Sequence, residues 1–329
     1  MSDERSEEAA GVMQRFPGNP VLSADDVPYP AKLVFNAGVT RWRDRYVMVF
    51  RNDFDLRDGV WPRQTNLGLA FSDDGIEWQV AEKPCFSMKT EEIRRAYDPR
   101  LTVIEGRCYM CLAVDTRHGI RGGVAVTEDF EDFEVLSLSA PDNRNMVLFP
   151  ERSDGMFMRL ERPFPIYGRG APEAFDIWFS RSPDCRYWGD TELVLGSEQV
   201  PFCNNKIGPA APPVRTDAGW LTVFHAVYKD DERELPSWAG GWTKLYMAGV
   251  MLLDLDEPWK VIGISPEPLL VPQPEYEYEW HGFRGGAIFP CGMVVEEDGT
   301  AKLYYGAADT VVALATARVE DLIALCRPV

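Results

Sequence analysis

Gly38-Val39-Thr40-Arg41-Trp42-Arg43-Asp44-Arg45-Tyr46-Val47-Met48-Val49-Phe50-Arg51 places a charged turn between two runs in which apolar residues recur at every second position. A period of two sends alternate side chains to opposite faces of a strand, so the stretch reads as a β-hairpin. The same shape returns at Leu101 to Leu112 around Glu105-Gly106, and at Phe149 to Leu160 around Ser153-Asp154-Gly155. It returns again at Pro213 to His225 around Asp217-Ala218-Gly219, and at Ile288 to Gly306 around Asp298-Gly299. Most copies are followed by a further strand that ends in a polar turn and an aromatic residue: Phe71 to Trp78, Val126 to Phe133, Phe179 to Trp188 and Leu253 to Trp259. Five units of roughly four strands each predict an all-β fold, a five-bladed β-propeller. A β-sandwich explains the strands but not the recurring two-part unit. The predicted organisation is an acidic tail over residues 1–15 and a single propeller domain over residues 16–329.

Composition agrees with this reading and narrows the partners. The chain has 329 residues, 45% of them hydrophobic, enough to bury a substantial core. Its 27 glycines and 25 prolines are spread along the chain, as many short strands joined by tight turns require. A formal charge of −18 repels nucleic acid and anionic membranes, so neither is an expected partner. Any anionic substrate would need a local cluster of Arg, Lys and His that reverses the average field.

Seven cysteines include one close pair, Cys108-Tyr-Met-Cys111, inside an apolar alternating stretch. No second CxxC completes a zinc set and His is scarce, so buried strand thiols are expected and no metal. The N-terminus lacks an apolar leader region and no run approaches the length of a membrane-spanning helix. A reducing cytoplasm is the expected compartment.

A propeller converges the starts of its inner strands on a central pocket, so site residues should be scattered in sequence. Polar residues at strand edges supply the candidates. Asn36 and Arg51 flank the first hairpin, and Asp98 stands before Pro99, which holds it extended. Arg144 and Asn145 precede an apolar strand, and Arg162 ends the next one before Pro163. Lys206 opens Lys206-Ile207-Gly208-Pro209, His225 closes the strand from Trp220, and Asp309 follows Tyr304-Tyr305-Gly306-Ala307-Ala308. Taken singly these are ordinary: an Asp before proline caps a turn, an Arg at a strand end is a surface residue, and a His on an apolar strand is a core residue.

Together they resemble a known family. Tyr97-Asp98-Pro99-Arg100-Leu101-Thr102, Leu148-Phe149-Pro150-Glu151-Arg152, Arg159-Leu160-Glu161-Arg162-Pro163, Lys206-Ile207-Gly208, Gly219-Trp220-Leu221 with His225, and Tyr304 to Asp309 are similar, in this order, to motifs of glycoside hydrolase family 130, the β-mannoside phosphorylases. The match runs from about residue 18 to about residue 325. The family's fold is a five-bladed propeller, in agreement with the repeat count.

The resemblance implies inverting phosphorolysis: phosphate attacks the anomeric carbon of a terminal β-mannosyl unit and releases α-mannose 1-phosphate and a shortened acceptor. An inverting hydrolase needs a second carboxylate to activate water, whereas phosphate needs only a cationic cradle. Asp98 is then the proton donor, with its pKa expected to be raised enough to hold a proton near neutrality. Arg144, Arg162, Lys206 and His225 are implied as the phosphate cradle, and Asn36, Arg51, Asn145 and Asp309 as contacts to the mannosyl hydroxyls. The expected partners are thus a small β-mannoside and phosphate as co-substrate, with no cofactor, and homo-oligomers are common in the family. Trp61, Trp280 and Phe283 are candidates for stacking on sugar rings, and His281 for the acceptor side; His118 matches no motif. Arg152, Ala226 and Pro209 to Pro213 depart from the usual family residues, the last two where they could tighten the phosphate loop. Three other readings stay open: an inverting β-mannosidase that uses water, a non-catalytic propeller that binds glycan or protein, and a furanosidase with three inward acidic residues. Linkage (β-1,4 or β-1,2) and acceptor are not legible.

Overall fold

The computed structural model describes residues 9, 11–57, 61–164, 175–232, 243–278 and 284–328, with the side chains of 57, 61 and 62 outside that description. After a two-residue strand β1 (Gln14–Arg15), the chain builds five antiparallel sheets. Blade 1 is β2 (Leu33–Trp42), β3 (Arg45–Arg57), β4 (Trp61–Ser72) and β5 (Gln79–Val80). Blade 2 is β6 (Ile93–Ile104), β7 (Arg107–Thr116), β8 (Gly119–Thr127) and β9 (Glu134–Leu138). Blade 3 is β10 (Asn143–Leu148), β11 (Phe157–Pro163), β12 (Ile177–Ser182) and β13 (Gly189–Leu195). Blade 4 is β14 (Lys206–Pro209), β15 (Val214–Thr216), β16 (Gly219–Lys229), β17 (Lys244–Leu253) and β18 (Val261–Ile264). Blade 5 is β19 (Ile288–Val295), β20 (Thr300–Ala307) and β21 (Val311–Arg318), with β1 as its outermost strand. This is the five-bladed propeller that the repeat predicts.

The ring closes through the first residues of the chain. Gln14 pairs with Thr316 and Arg15 with Ala315, and Met13 is buried in the core between blades 4 and 5. The boundary expected after residue 15 therefore falls inside the propeller: a charged tail has no apolar period of its own, and its last residues become a strand only because β21 offers a free edge.

Each junction between neighbouring blades holds its own apolar cluster, so the core is a ring of five packed seams rather than one mass. Phe149 of blade 3 meets Trp220 of blade 4 edge-on at 5.1 Å, and Trp78 of blade 1 meets Tyr304 of blade 5 at 5.8 Å. Truncating such an aromatic to alanine costs about 3–5 kcal/mol.

The repeated polar turns after the third strands share one mechanism. In Ser72-Asp73-Asp74, Thr127-Glu128-Asp129 and Ser182-Pro183-Asp184, the acidic Oδ1 accepts backbone amides two and three residues on, at 2.8–3.0 Å. That turn delivers Trp78, Phe133 or Trp188 back toward the sheet. Blade 4 departs from the pattern in its first strand. Ala210-Ala211-Pro212-Pro213 splits it into β14 and β15, because neither proline has an amide to donate to β16. The fourth hairpin copy read from sequence is thus the outer part of this blade, and Lys206 lies on the separate inner part.

All seven cysteines are free, Cys108 and Cys111 buried in β7. Among the described residues no helix is long and apolar enough to cross a membrane.

Candidate active site

The first strands of blades 1, 2 and 3 each carry one extra residue against the second strand, between Phe35 and Gly38, Tyr97 and Arg100, and Arg144 and Val147. At these bulges Asn36, Asp98 and Asn145 adopt left-handed backbone, with φ of 48°, 54° and 56°, so Asp98 lacks the extended backbone that its place before Pro99 predicts: the bulge overrides that preference. Asn and Asp tolerate that region better than other residues with a Cβ, and a bulge re-aims the side chain out of the strand's alternation. The strand edges near the axis are thereby turned into a ring of polar side chains. Gly38 allows the close approach this needs: a Cβ there would come within 2.8 Å of the Pro99 carbonyl oxygen.

The bulge residues open onto a pocket of about 350 Å³ on the propeller axis. Asn36, Arg51, Asp98, Arg144, Asn145, Arg162, Lys206 and Asp309 all line it, so eight of the nine residues singled out in the sequence meet in one place.

On the side of blades 1 and 2 the charges are paired. Asp98 Oδ1 accepts from Asn36 Nδ2 at 2.9 Å and from Arg51 Nη1 at 3.1 Å. Both bonds fall on one oxygen, which leaves Oδ2 free of protein donors among the described residues. Arg51 also clasps Asp53 Oδ2 through Nε at 3.0 Å and Nη2 at 2.6 Å, and its guanidinium lies over the rings of Phe35 and Tyr97. Arg95 donates to Asp115 at 2.7 Å, and the Tyr97 hydroxyl donates to the other Asp115 oxygen at 2.7 Å. Across the pocket Asp309, itself left-handed at φ 51°, accepts from Arg284 at 3.1 Å.

On the side of blades 3 and 4 they are not. Arg144 and Arg162 stand directly opposite each other on β10 and β11, a like-charge pair that costs stability in a sheet. Among the described residues Arg144 donates only a long bond, to the Tyr97 hydroxyl at 3.5 Å. Arg162 is buried, with Nε and Nη2 unpartnered and Nη1 donating to His225 Nε2 at 3.1 Å. Lys206 rests between the rings of Phe175 and Tyr246, 5.6 and 5.5 Å from their centroids. Among the described residues none of these three cations has a carboxylate within ion-pair distance. Burial of unpaired charge is costly, so such a cluster is arranged for an anion that arrives from outside.

Titration follows from this geometry. Burial, Arg144 and Arg100 push Arg162 down to about 9, still charged at neutral pH. Burial pushes the Asp309 carboxyl up, with Asp98 and Asp53 adding to it against Arg284 and Arg51. For Asp98 the expected rise is not found in the empty pocket. Burial pushes its carboxyl up, but Arg51, Arg100, the Asn36 amide and Arg144 outweigh it and hold the group below its ordinary value.

His225 is the predicted cradle residue that does not reach the pocket. It is fully buried on β16 behind Arg162, and a guanidinium can only donate, so Nε2 accepts and the proton sits on Nδ1. Burial and the neighbouring Arg162 hold its imidazole well below the usual value, so it is neutral. Gly208 makes room for this contact, since a Cβ there would meet His225 Cε1 at 2.5 Å and Arg162 Cδ at 3.0 Å. Arg152 lies on the surface, 3.3 Å from Glu105, and His118 sits in the turn between β7 and β8. Trp280, His281 and Phe283 fall outside the described residues, as does the Trp61 side chain.

Sequence reasoning missed Arg95, Asp115, Lys244, Tyr246, Arg284 and Phe289, which also line the pocket. Asp115 makes a third inward carboxylate beside Asp98 and Asp309, though it is tied to Arg95. The available signal was positional: Asp115 pairs with Arg95 in the β6–β7 ladder, so it shares the mouth end of the blade with Asp98. No group of three or more His, Cys, Asp or Glu side chains suited to a metal occurs among the described residues.

Residues 5–328 match the family model described as β-1,4-mannooligosaccharide phosphorylase. The chain belongs to glycoside hydrolase family 130. A family-130 relative, the β-1,4-mannooligosaccharide phosphorylase of Ruminococcus albus, is 33% identical over 95% of this chain and 90% of its own. The 1,2-β-oligomannan phosphorylase of a Thermoanaerobacter species is 32% identical over 78% of this chain and 80% of its own. In three dimensions the β-1,2-mannobiose phosphorylase of Listeria innocua, solved with β-1,2-mannobiose, superposes with a TM-score of 0.80 at 24% identity, over 95% of this chain and 98% of that one. That likeness bears on the fold.

Proposed function

We infer that the protein is an inverting β-mannoside phosphorylase. The observation that carries this reading is the cluster of Arg144, Arg162 and Lys206, uncompensated among the described residues, in one pocket with the unshared acid oxygen Asp98 Oδ2. The cations supply a seat for phosphate, with Arg162 Nε and Nη2 as ready donors. Phosphate seated there attacks the anomeric carbon from the side of blades 3 and 4 while the glycosidic oxygen leaves from the opposite face. The bond from that carbon to the glycosidic oxygen breaks as the bond to the phosphate oxygen forms. A proton from Asp98 reaches the leaving oxygen, in this family by way of a mannosyl hydroxyl. Asn36, Arg51, Asn145 and Asp309 orient the mannosyl hydroxyls, and His225 holds Arg162 without touching phosphate.

The low pKa of Asp98 in the empty pocket gives the reaction an order. Arg144 is one of the charges that hold the carboxyl ionised. A phosphate dianion beside Arg144 cancels that influence and adds negative charge, which moves Asp98 up toward holding the proton it must donate. Phosphate thus loads the acid.

The β-1,4 linkage is assigned first, from the family description and the Ruminococcus albus relative, with a cytoplasmic setting in which phosphate is abundant. Incubating the protein with β-1,4-mannobiose, with and without phosphate, tests the reading. Phosphate-dependent release of α-mannose 1-phosphate supports it; free mannose released equally without phosphate would assign a hydrolase instead. No cleavage of any β-mannoside would leave a binding propeller.

A further inference from the structure

The three carboxylates at the pocket are already engaged: Asp98 by Asn36 and Arg51, Asp115 by Arg95 and Tyr97, and Asp309 by Arg284. Among the described residues Lys206 therefore has no anion to balance it. Facing it are Arg162 from β11, Arg144 from β10, Lys244 and Tyr246 from β17, Arg284 from the segment before β19, and the Phe175 ring. Asp176, next to Phe175, spends its Oδ1 on the Ser197 amide at 2.9 Å. Arg162 is buried and Arg144 and Lys206 are half-buried, and three cations so placed cannot all stay charged side by side at low cost. A guanidinium does not give up its proton, and His225 is already neutral as the acceptor of the Arg162 bond. The ammonium is the group that can yield.

We propose that Lys206 is neutral in the empty pocket and takes one proton from solvent when an oxyanion enters, so that capture of phosphate is linked to proton uptake. The proposal rests on the phosphate reading of the cradle. The lone pair on Nζ binds the proton, and the ammonium so formed becomes a third charge on the anion. Burial, with Arg162, Lys244, Arg144 and Arg284, pushes Lys206 down to about 6, in line with this. The seated anion raises it again. Between these two values the affinity for a dianion falls about tenfold for each unit of rising pH.

Sulfate is the clean probe, because it is a dianion that does not itself titrate near neutrality. Calorimetry of sodium sulfate binding near pH 7.5, in buffers of differing ionisation enthalpy, counts protons: about one taken up per sulfate is expected. Lys206→Arg keeps the charge but removes the lysine titration, so it should take up about one proton fewer per sulfate than the native protein, any remainder belonging to Asp98, with an affinity less steep in pH. Sulfate binding by the native protein without proton uptake would overturn the linkage and leave the phosphate site intact. Uptake undiminished in Lys206→Arg would overturn it too. If neither sulfate nor phosphate binds at all, the cradle reading falls with it.

Discussion

Arg51 and Arg162 occupy the same place in two blades. Each lies on a second strand, opposite the residue that precedes a left-handed Asn: Arg51 faces Phe35 before Asn36, and Arg162 faces Arg144 before Asn145. Both are buried at the pocket, yet Arg51 holds Asp53 at 2.6 Å and Asp98 at 3.1 Å, whereas Arg162 has only neutral His225 at 3.1 Å. The difference begins two residues on, where blade 1 has Asp53 within β3 and blade 3 has Phe164 just past the end of β11. One carboxylate separates a structural guanidinium, fixed by internal partners, from one held in reserve for a ligand. The lesson is that in a pocket rich in arginine, the unpaired ones mark where the anion goes.

The comparison can be broken or sharpened by substitution. The largest effect is expected from Asp98→Asn, which keeps the shape of the paired wall but removes the proton: kcat should fall by about 10²–10⁴, and a rate within a few-fold of native would remove Asp98 from catalysis.

Next come the two arginines. Arg51→Met removes the nearest counter-ion of both Asp53 and Asp98, so unfolding should show a loss of about 3–5 kcal/mol. Arg162→Met relieves a like-charge pair, so its melting temperature should not fall, while KM for phosphate rises by roughly a hundredfold. Equal destabilisation by both would show that Arg162 has a hidden partner.

Phe164→Asp converts blade 3 to the blade 1 arrangement. An internal carboxylate competing for Arg162 should raise KM for phosphate by roughly tenfold with kcat less affected; unchanged phosphate kinetics would refute the role assigned to that position.

The smallest effect concerns stability against pH. Lys206 is held near 6 in the folded state, against about 10.4 when unfolded. Across this window the unfolded chain binds the extra proton, so the residue destabilises the fold more as pH falls from about 10 to about 6, and no further below that. Lys206→Met should therefore raise the melting temperature, by more near pH 6 than near pH 9. A gain independent of pH would contradict it.

The blade pattern was legible because hairpin periodicity, which recurs five times, and the Ser/Thr-x-Asp turn, which recurs three times, are local. Asn36, Asp98 and Asn145 were visible as polar residues at strand edges, but their bulges were not, since an extra residue shows only against a partner strand. Lys206 was found through its motif, though its strand was split from the hairpin copy by Ala210 to Pro213. His225 was placed one layer too far forward, because a residue on an apolar strand gives no sign of whether it reaches the pocket or backs a residue that does. Asp115 was missed since its hydrogen bonds run to Arg95 and Tyr97 across the hairpin.

What the sequence determined by itself is therefore the inventory: the strand faces, the turns, the acid, the cations, and the choice of Asp53 in one blade and Phe164 in another. Which charges are paired between blades was decided only by the closed ring. Asp98 meets Asn36 from 62 positions away and Arg51 from 47 away, and Arg162 meets His225 across 63. Pairing between blades depends on where five sheets converge, and no local period encodes that distance.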